Sequence, residues 1–245
     1  MKLHFLTFAS SNMSYKRIKE EAISSNIFDT VTAVDEKDLD PEFQNILLKR
    51  IDFYGPRGYA YWSWKPRIIK DKLNIMQDGD CLLYMDAGST LNINENSVRN
   101  LLNIAECTKN LPMQITGITT SSNDIRYTTS KLVDFMSGYY GFIYEQELLE
   151  RQQICAGTIL LIKSENSVKA INEFDDVCNN HFELITDVFN KDELRDDFID
   201  NRHDQSVWSL ITKYYGIRPS KLGGYAKDWN ILHDYPVWHT RKRYS

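Results

Sequence analysis

The five residues Cys81-Leu82-Leu83-Tyr84-Met85 are apolar without a break and run into Asp86-Ala87-Gly88-Ser89. A strand with one face in water alternates apolar and polar side chains, whereas a continuous apolar run is covered on both faces. Covering both faces takes a layer of helices on each side, which predicts an α/β sheet. The apolar run Leu3–Phe8 repeats the pattern and stops at the polar turn Ala9-Ser10-Ser11-Asn12. Ser14 is then placed to cap a helix with Ile18, Ala22 and Ile23 on one face, followed by the β-branched strand Thr30–Val34. Strand, turn, helix, strand opens a βαβ unit and hence a mostly parallel sheet. In such sheets ligands lie beyond the carboxyl ends of the strands, which is where Asp86 falls.

Pro66 suits the first position of a helix carrying Ile68, Ile69, Leu73 and Met76. Residues 156–162 read as another strand, 167–178 as a helix, the acidic stretch 187–201 as a solvated loop or helix face, and 204–215 as an amphipathic helix packing Val207, Trp208, Leu210 and Ile211. No repeat or linker divides the chain, which predicts one domain over residues 1–245. The 14 Tyr, 11 Phe and 5 Trp supply a core and exclude disorder of the whole chain. The four cysteines, at 81, 107, 155 and 178, contain no CxxC pair, which argues against a disulfide scaffold or a structural zinc. A net charge of −5 argues against a general nucleic-acid binder. No apolar stretch is long enough to span a membrane, and the first one gives way at once to polar residues; the sequence reads as that of a cytoplasmic protein.

Three further groups carry chemistry. The segment 55–66 is punctuated by Gly and Pro, holds Tyr59, Tyr61, Trp62 and Trp64, and adds Arg57 and Lys65, with Arg67 just beyond. Lys65 precedes a predicted helix start, where backbone N–H groups favour phosphate; core packing with outward cations is the alternative. Arg202-His203-Asp204-Gln205-Ser206 opens a helix, either as a cap with Asp204 as N-cap or with His203 and Asp204 facing a ligand. His233 and His239 lie in an aromatic tail that also holds Trp229 and then the basic residues Arg241-Lys242-Arg243. For Asp86 the alternatives are a cation-binding carboxylate and a turn-initiating one.

Gly58-Tyr59-Ala60-Tyr61-Trp62-Ser63-Trp64-Lys65-Pro66, followed by Asp78-Gly79-Asp80 and Leu82-Leu83-Tyr84-Met85-Asp86-Ala87-Gly88, resembles bacterial capsule and lipopolysaccharide glycosyltransferases of the GT-A type. Those proteins carry a G-[FY]-G-Y-W-x-W-K-P run and then G-D-hydrophobic-Y-x-D-A-G. The stretch 153–162, the run Leu184-Ile185-Thr186-Asp187 and the stretch 202–210 are similar to later pieces of the same pattern, in the same order. The resemblance implies a single GT-A-like domain. Its first half, to about residue 110, would hold a nucleoside diphosphate sugar (a UDP-sugar foremost), and its second half, from about 111, an acceptor glycan or lipid-linked oligosaccharide. It implies donor contacts from Thr7, Ala9, Ser10, Tyr15, Arg57, Tyr61, Trp62, Trp64, Lys65, Asp86, Ala87 and Gly88. It further implies sugar or acceptor contacts from Gly157 and Asp187, and catalytic roles for His203, Asp204 and Gln205. Asp86 matches the first Asp of a D-x-D metal motif, with Gly88 in place of the last. A Mn²⁺ or Mg²⁺ ion would then rest on Asp86, with His239, and on the diphosphate itself. Lys65, Arg57 and His239 are the expected cations facing the leaving group; the basic tail is first a solvated terminus, with contact to diphosphate or to anionic lipid at the inner membrane face as the alternatives. If configuration inverts, Asp204 is the expected base; if it is retained, Asp204 or Gln205 orients the sugar. The alternatives are a non-catalytic nucleotide-sugar or glycan-binding protein and, less well matched because residues 7–14 hold no Gly, a nucleotidyltransferase.

Overall fold

The computed structural model describes residues 1–10, 14–190, 192, 194–225 and 230–242. Ser11, Asn12, Trp229 and Arg243 lie outside the described residues. The chain runs β1 (Leu3–Phe8), α1 (Lys16–Ser24), β2 (Thr30–Val34), a 3-10 turn (Glu36–Asp38), α2 (Pro41–Tyr54), a single turn α3 (Gly58–Tyr61), α4 (Trp64–Ile75), β3 (Cys81–Met85), β4 (Thr90–Leu91) and α5 (Glu95–Thr108). It continues through β5 (Ile115–Asn123), α6 (Asp124–Tyr127), α7 (Ser130–Tyr140), α8 (Gln146–Glu150), β6 (Gln152–Ile162), α9 (Glu165–Asn180), a second 3-10 turn (Phe182–Ile185), α10 (Asp204–Tyr214), β7 (Gly223–Gly224) and β8 (Val237–Trp238).

The main sheet has the order β2-β1-β3-β6-β5. Strands β2, β1 and β3 pair in parallel, while β6 is antiparallel to both β3 and β5. The sheet is therefore mixed, with β6 alone running against the other four. Strand alternation sorts its side chains onto two faces. Leu6, Phe8, Leu82, Tyr84, Ile159 and Leu161 join one core with α2, α4, α9 and α10. Phe5, Cys81, Leu83, Met85 and Leu160 join the other with α1 and α5. The five residues of β3 are fully buried, as a strand covered on both faces must be. At ~25 cal/mol per Å² of apolar surface, this two-sided burial is the main favourable term of the fold.

Local chemistry differs from expectation at three helix starts. Tyr15 is the N-cap of α1 without a side-chain bond, and Ser14 Oγ instead accepts from Lys16 N at 3.2 Å. Helix α4 begins two residues before Pro66, at Trp64. His203, not Asp204, caps α10, so Asp204 lies in the first helical turn with its carboxylate near the positive end of the dipole. A small second sheet, β4-β8-β7, brings the tail back to the rest of the molecule, with Lys242 N donating to Gly88 O at 2.9 Å. Among the described residues no helix is long and apolar enough to cross a membrane.

Candidate active site

The carboxyl ends of β1 and β3 open into a cavity of about 790 Å³. Its charged centre is Lys65, a side chain 2% exposed. The ammonium meets Asp204 Oδ2 at 2.6 Å and Asp86 Oδ1 at 3.3 Å. A buried ammonium is stable only when paired. Burial pulls the Lys65 pKa down, but Asp204 and Asp86 outweigh it and the net direction is upward, so Lys65 is a fixed cation. Burial pushes Asp204 up to about 6, against the opposing pull of Lys65. One ammonium for two carboxylates leaves the centre one charge negative when both are ionised.

Asp86 is positioned by the strand before it and the turn after it. Its Oδ1 accepts from the Tyr84 hydroxyl at 2.7 Å. The turn is tied down by Arg17, which donates to the carbonyls of Ala87 (3.0 Å) and Ser89 (2.7 Å). Oδ2 has no hydrogen-bond partner among the described residues, and a Cβ on Gly157 would come within 2.7 Å of it. Gly157 thus clears the space beside the unpaired oxygen.

His239 reaches the cavity because β8 pairs with β4. It stacks on Tyr225 at 4.4 Å. The Thr158 hydroxyl donates to Gly157 O (2.9 Å), so it accepts from His239 Nε2 (3.0 Å). That leaves Nδ1 with its lone pair, 3.4 Å from Ser89 Oγ. Burial holds the imidazole neutral, with its pKa pushed down to about 4. His239 therefore does not join Lys65 and Arg57 as a cation, contrary to the expectation from the sequence. A neutral imidazole and an unpaired carboxylate oxygen suit a divalent ion. Among the described residues no three His, Cys, Asp or Glu side chains cluster as a metal site, so such an ion would need oxygens from its ligand as well.

The aromatic segment takes an unusual backbone. Gly58, Tyr59, Ala60, Tyr61 and Trp62 all have positive φ, between 51° and 64°, and form one turn of left-handed helix closed by Tyr61 N→Arg57 O (2.7 Å) and Trp62 N→Gly58 O (3.1 Å). The four residues with a Cβ together cost about 4–8 kcal/mol in this conformation. Tertiary bonds hold it: Trp64 Nε1→Gly58 O at 3.0 Å, Tyr61 OH→Tyr54 O at 3.1 Å, and Arg50→Ser63 Oγ at 3.1 Å. Strain of this kind collects at functional sites. The turn presents Tyr59 and Trp62 to the cavity, and Trp62 stacks on His203 at 5.5 Å. His203 has φ +55°, donates from Nδ1 to Ile185 O at 2.7 Å, and keeps Nε2 buried without a hydrogen-bond partner among the described residues.

The cavity brings together Ser10, Arg57, Trp62, Trp64, Lys65, Asp86, Ala87, Gly88, Gly157, His203, Asp204, Gln205 and His239. It is not lined by Thr7, Ala9, Tyr15, Tyr61 or Asp187. Along β1 and its extension Phe8 and Ser10 face the cavity, so alternation turns Thr7 and Ala9 the other way. Tyr61 is 3% exposed in the core, and Tyr15 packs under the sheet beside α1. Asp187 stands behind the rim, binding Arg57 at 2.8 Å. Trp64 is largely a core residue, stacked on Phe8 at 3.9 Å. His233 lies away from the cavity, beside Asp234 at 3.0 Å. Lining residues that the sequence did not single out include Thr120, Ser121 and Ser122 on β5, Cys155 on β6, and Tyr225. The serines and threonine belong to a strand with no apolar run or clean alternation to announce it.

No family model matches the chain, and no curated protein matches it in sequence. Some solved structures are similar to it. Mouse xyloside xylosyltransferase 1, in its apo form, is 10% identical over 98% of this chain and 97% of that chain, with a TM-score of 0.43. A glycosyltransferase involved in the glycosylation of the major capsid of PBCV-1 is 10% identical over 98% of this chain and 92% of that chain, with a TM-score of 0.42. The galactosyltransferase LgtC, in complex with donor and acceptor sugar analogs, is 9% identical over 96% of this chain and 86% of that chain, with a TM-score of 0.45.

Proposed function

We propose that the chain is a glycosyltransferase that moves a sugar, most simply a hexose, from a UDP-sugar to an acceptor glycan or lipid-linked oligosaccharide of a bacterial surface polysaccharide. The observation that carries this reading is the buried Lys65 held between Asp86 and Asp204 at the strand ends, inside a cavity large enough for a nucleotide sugar. The donor would lie along the first half of the chain, with the base toward Phe8 and Ser10 and the diphosphate toward Ala87, Gly88 and Arg241. The acceptor would enter from the second half, past Arg202, His203 and Gln205.

In the reaction the bond from the anomeric carbon to the diphosphate oxygen breaks, and a bond to the acceptor oxygen forms. Charge develops on the leaving diphosphate, and fixed cations stabilise it best in a site that excludes water. Lys65 is a fixed cation there, but Asp86 and Asp204 already offset its charge, so Arg241, which also lines the cavity, has to carry the net positive charge toward the diphosphate. A divalent cation held by Asp86 and His239 would supply further neutralisation of the diphosphate when bound. If the reaction inverts, Asp204 takes the acceptor proton, and a pKa near 6 leaves it ionised and able to do so at neutral pH. If it retains, Asp204 and Gln205 hold and orient the sugar. The exposed tail residue Lys242 is suited to contact with anionic lipid at the inner membrane face.

A thermal-shift screen of nucleoside diphosphates and nucleotide sugars, each with Mn²⁺, Mg²⁺ or EDTA, tests the reading. A ligand at a hundredfold excess over its Kd adds about 2.7 kcal/mol to stability. The expected result is a shift with UDP or a UDP-sugar that falls on adding EDTA and is lost in Asp86→Asn. A shift with no nucleotide under any condition contradicts the reading. Binding without turnover over a broad acceptor panel would favour a non-catalytic binding protein.

A further inference from the structure

Asp124 is 0% exposed and lies behind the cavity wall. Its Oδ1 accepts from Thr128 Oγ1 (2.7 Å) and Gln153 Nε2 (2.9 Å). Its Oδ2 accepts from Ser209 Oγ (2.8 Å) and pairs with the Lys213 ammonium. An ionised carboxylate only accepts hydrogen bonds, so Gln153 is obliged to turn its NH₂ toward Asp124. Gln153 is itself 0% exposed, and its Oε1 then faces the other way, where Gln205 Nε2 donates to it at 2.8 Å. Gln205 lines the cavity, and its own Oε1 has no hydrogen-bond partner among the described residues.

We propose that Gln153 is a positioning residue that relays the polarity of the Asp124–Lys213 ion pair to Gln205 and fixes the Gln205 carbonyl oxygen toward the cleft. Flipping either amide would set donor against donor, or acceptor against acceptor, in a buried chain. Each such mismatch leaves a buried polar group unsatisfied, which is strongly disfavoured. Gln205 therefore offers its carbonyl oxygen to the ligand, beside whatever its second amide N–H can donate to. The group opposite that oxygen is a hydrogen-bond donor such as a sugar hydroxyl, not a phosphate oxygen, which favours the sugar over the diphosphate at that oxygen. The geometry stands by itself; its consequence for turnover rests on the transferase reading above.

The test has two arms. In the first, side-chain amide exchange is followed by ¹⁵N NMR in the wild type, in Gln153→Met and in Gln153→Glu. The relay predicts that the Gln205 NH₂ exchanges at least roughly tenfold more slowly than that of exposed Gln152. It also predicts that this protection disappears in whichever variant folds and no longer accepts from Gln205. A wild-type Gln205 that exchanges as fast as Gln152 overturns the relay. In the second arm, UDP release from UDP-glucose and UDP-galactose with Mn²⁺ is measured in Gln205→Ala, Gln153→Met and the double variant. If Gln153 acts through Gln205, each single change lowers kcat by roughly tenfold or more with donor KM within about twofold, and the double variant is no slower than Gln205→Ala. Additive losses overturn the relay. If the wild type releases no UDP, the transferase reading with these donors fails, and the exchange measurement alone decides for or against the relay.

Discussion

Gly157→Ala adds one methyl group beside the Asp86 carboxylate. The new Cβ would meet Asp86 Oδ2 at 2.7 Å, Asp86 Cγ at 3.2 Å and Cys155 Sγ at 3.3 Å. The strand cannot retreat, because Gly157 O accepts from Asp86 N at 2.9 Å and its neighbour Thr158 is paired with Met85 of β3. Asp86 must therefore swing, and Oδ2, the oxygen without a protein partner, is the one displaced. A charge-assisted contact is worth about 1.5–3 kcal/mol, which corresponds to roughly a tenfold to hundredfold loss of affinity. Disturbing the part-buried Tyr84–Asp86 bond also destabilises the fold by about 1–3 kcal/mol, which at about 2–4 °C per kcal/mol predicts a modest fall in Tm. Calorimetric titration with UDP and Mn²⁺, beside a melting curve without ligand, separates the two effects. A folded Gly157→Ala protein that binds UDP as tightly as the wild type would refute the placement of ligand against Asp86.

Other substitutions probe the strained turn and the charged centre. Gly58→Ala puts a Cβ within 2.4 Å of the Trp62 ring at φ +58°; denaturant unfolding should show a loss of roughly 2–5 kcal/mol and Trp fluorescence a change at the Trp62–His203 stack. Lys65→Met leaves Asp86 and Asp204 facing each other without their cation, and should lower stability by roughly 3–5 kcal/mol and abolish binding of UDP by calorimetry. The pH dependence of stability carries an inverted carboxylate signature. Because the Asp204 pKa is raised to about 6 in the folded protein, the native state holds that proton more tightly than the unfolded chain. Its contribution is full below the unfolded pKa of about 3.8 and is lost as pH rises through about 6, by at most about 3 kcal/mol. Calorimetric scans from pH 4 to 7 should show this decline in the wild type and not in Asp204→Asn.

Much of the framework is legible in the sequence because burial on both sides leaves an unmistakable pattern. The runs Leu3–Phe8 and Cys81–Met85 are strands with the predicted bounds, and Asp86 follows the central one directly; Thr30–Val34, a part-exposed edge strand, is legible from its β-branched residues instead. Strand β5 is not legible: Ile115–Asn123 is rich in Thr and Ser, includes Gly117, and changes register twice along β6. Nor does the sequence announce a left-handed turn. Tyr59, Ala60, Tyr61 and Trp62 all disfavour positive φ by themselves, and bonds from Tyr54, Arg50 and Trp64 impose it. The Asp124–Gln153–Gln205 chain escapes sequence reading for a different reason. Its members come from α6, β6 and α10 and meet only once α10 packs on β6. The direction of β6 is also invisible in its side chains, since an apolar strand buried on both faces looks the same whether it runs parallel or antiparallel.

The proposed function requires the cavity around Lys65, Asp86 and Asp204 to bind the diphosphate of a nucleotide sugar. A crystal structure with UDP and Mn²⁺, with anomalous data at the manganese edge, measures it directly. The expected result is an anomalous peak beside Asp86 Oδ2, the diphosphate against Ala87, Gly88 and Arg241, and the base toward Phe8 and Ser10. UDP bound elsewhere on the molecule, or a cavity that stays without nucleotide at concentrations that saturate binding in solution, would contradict it.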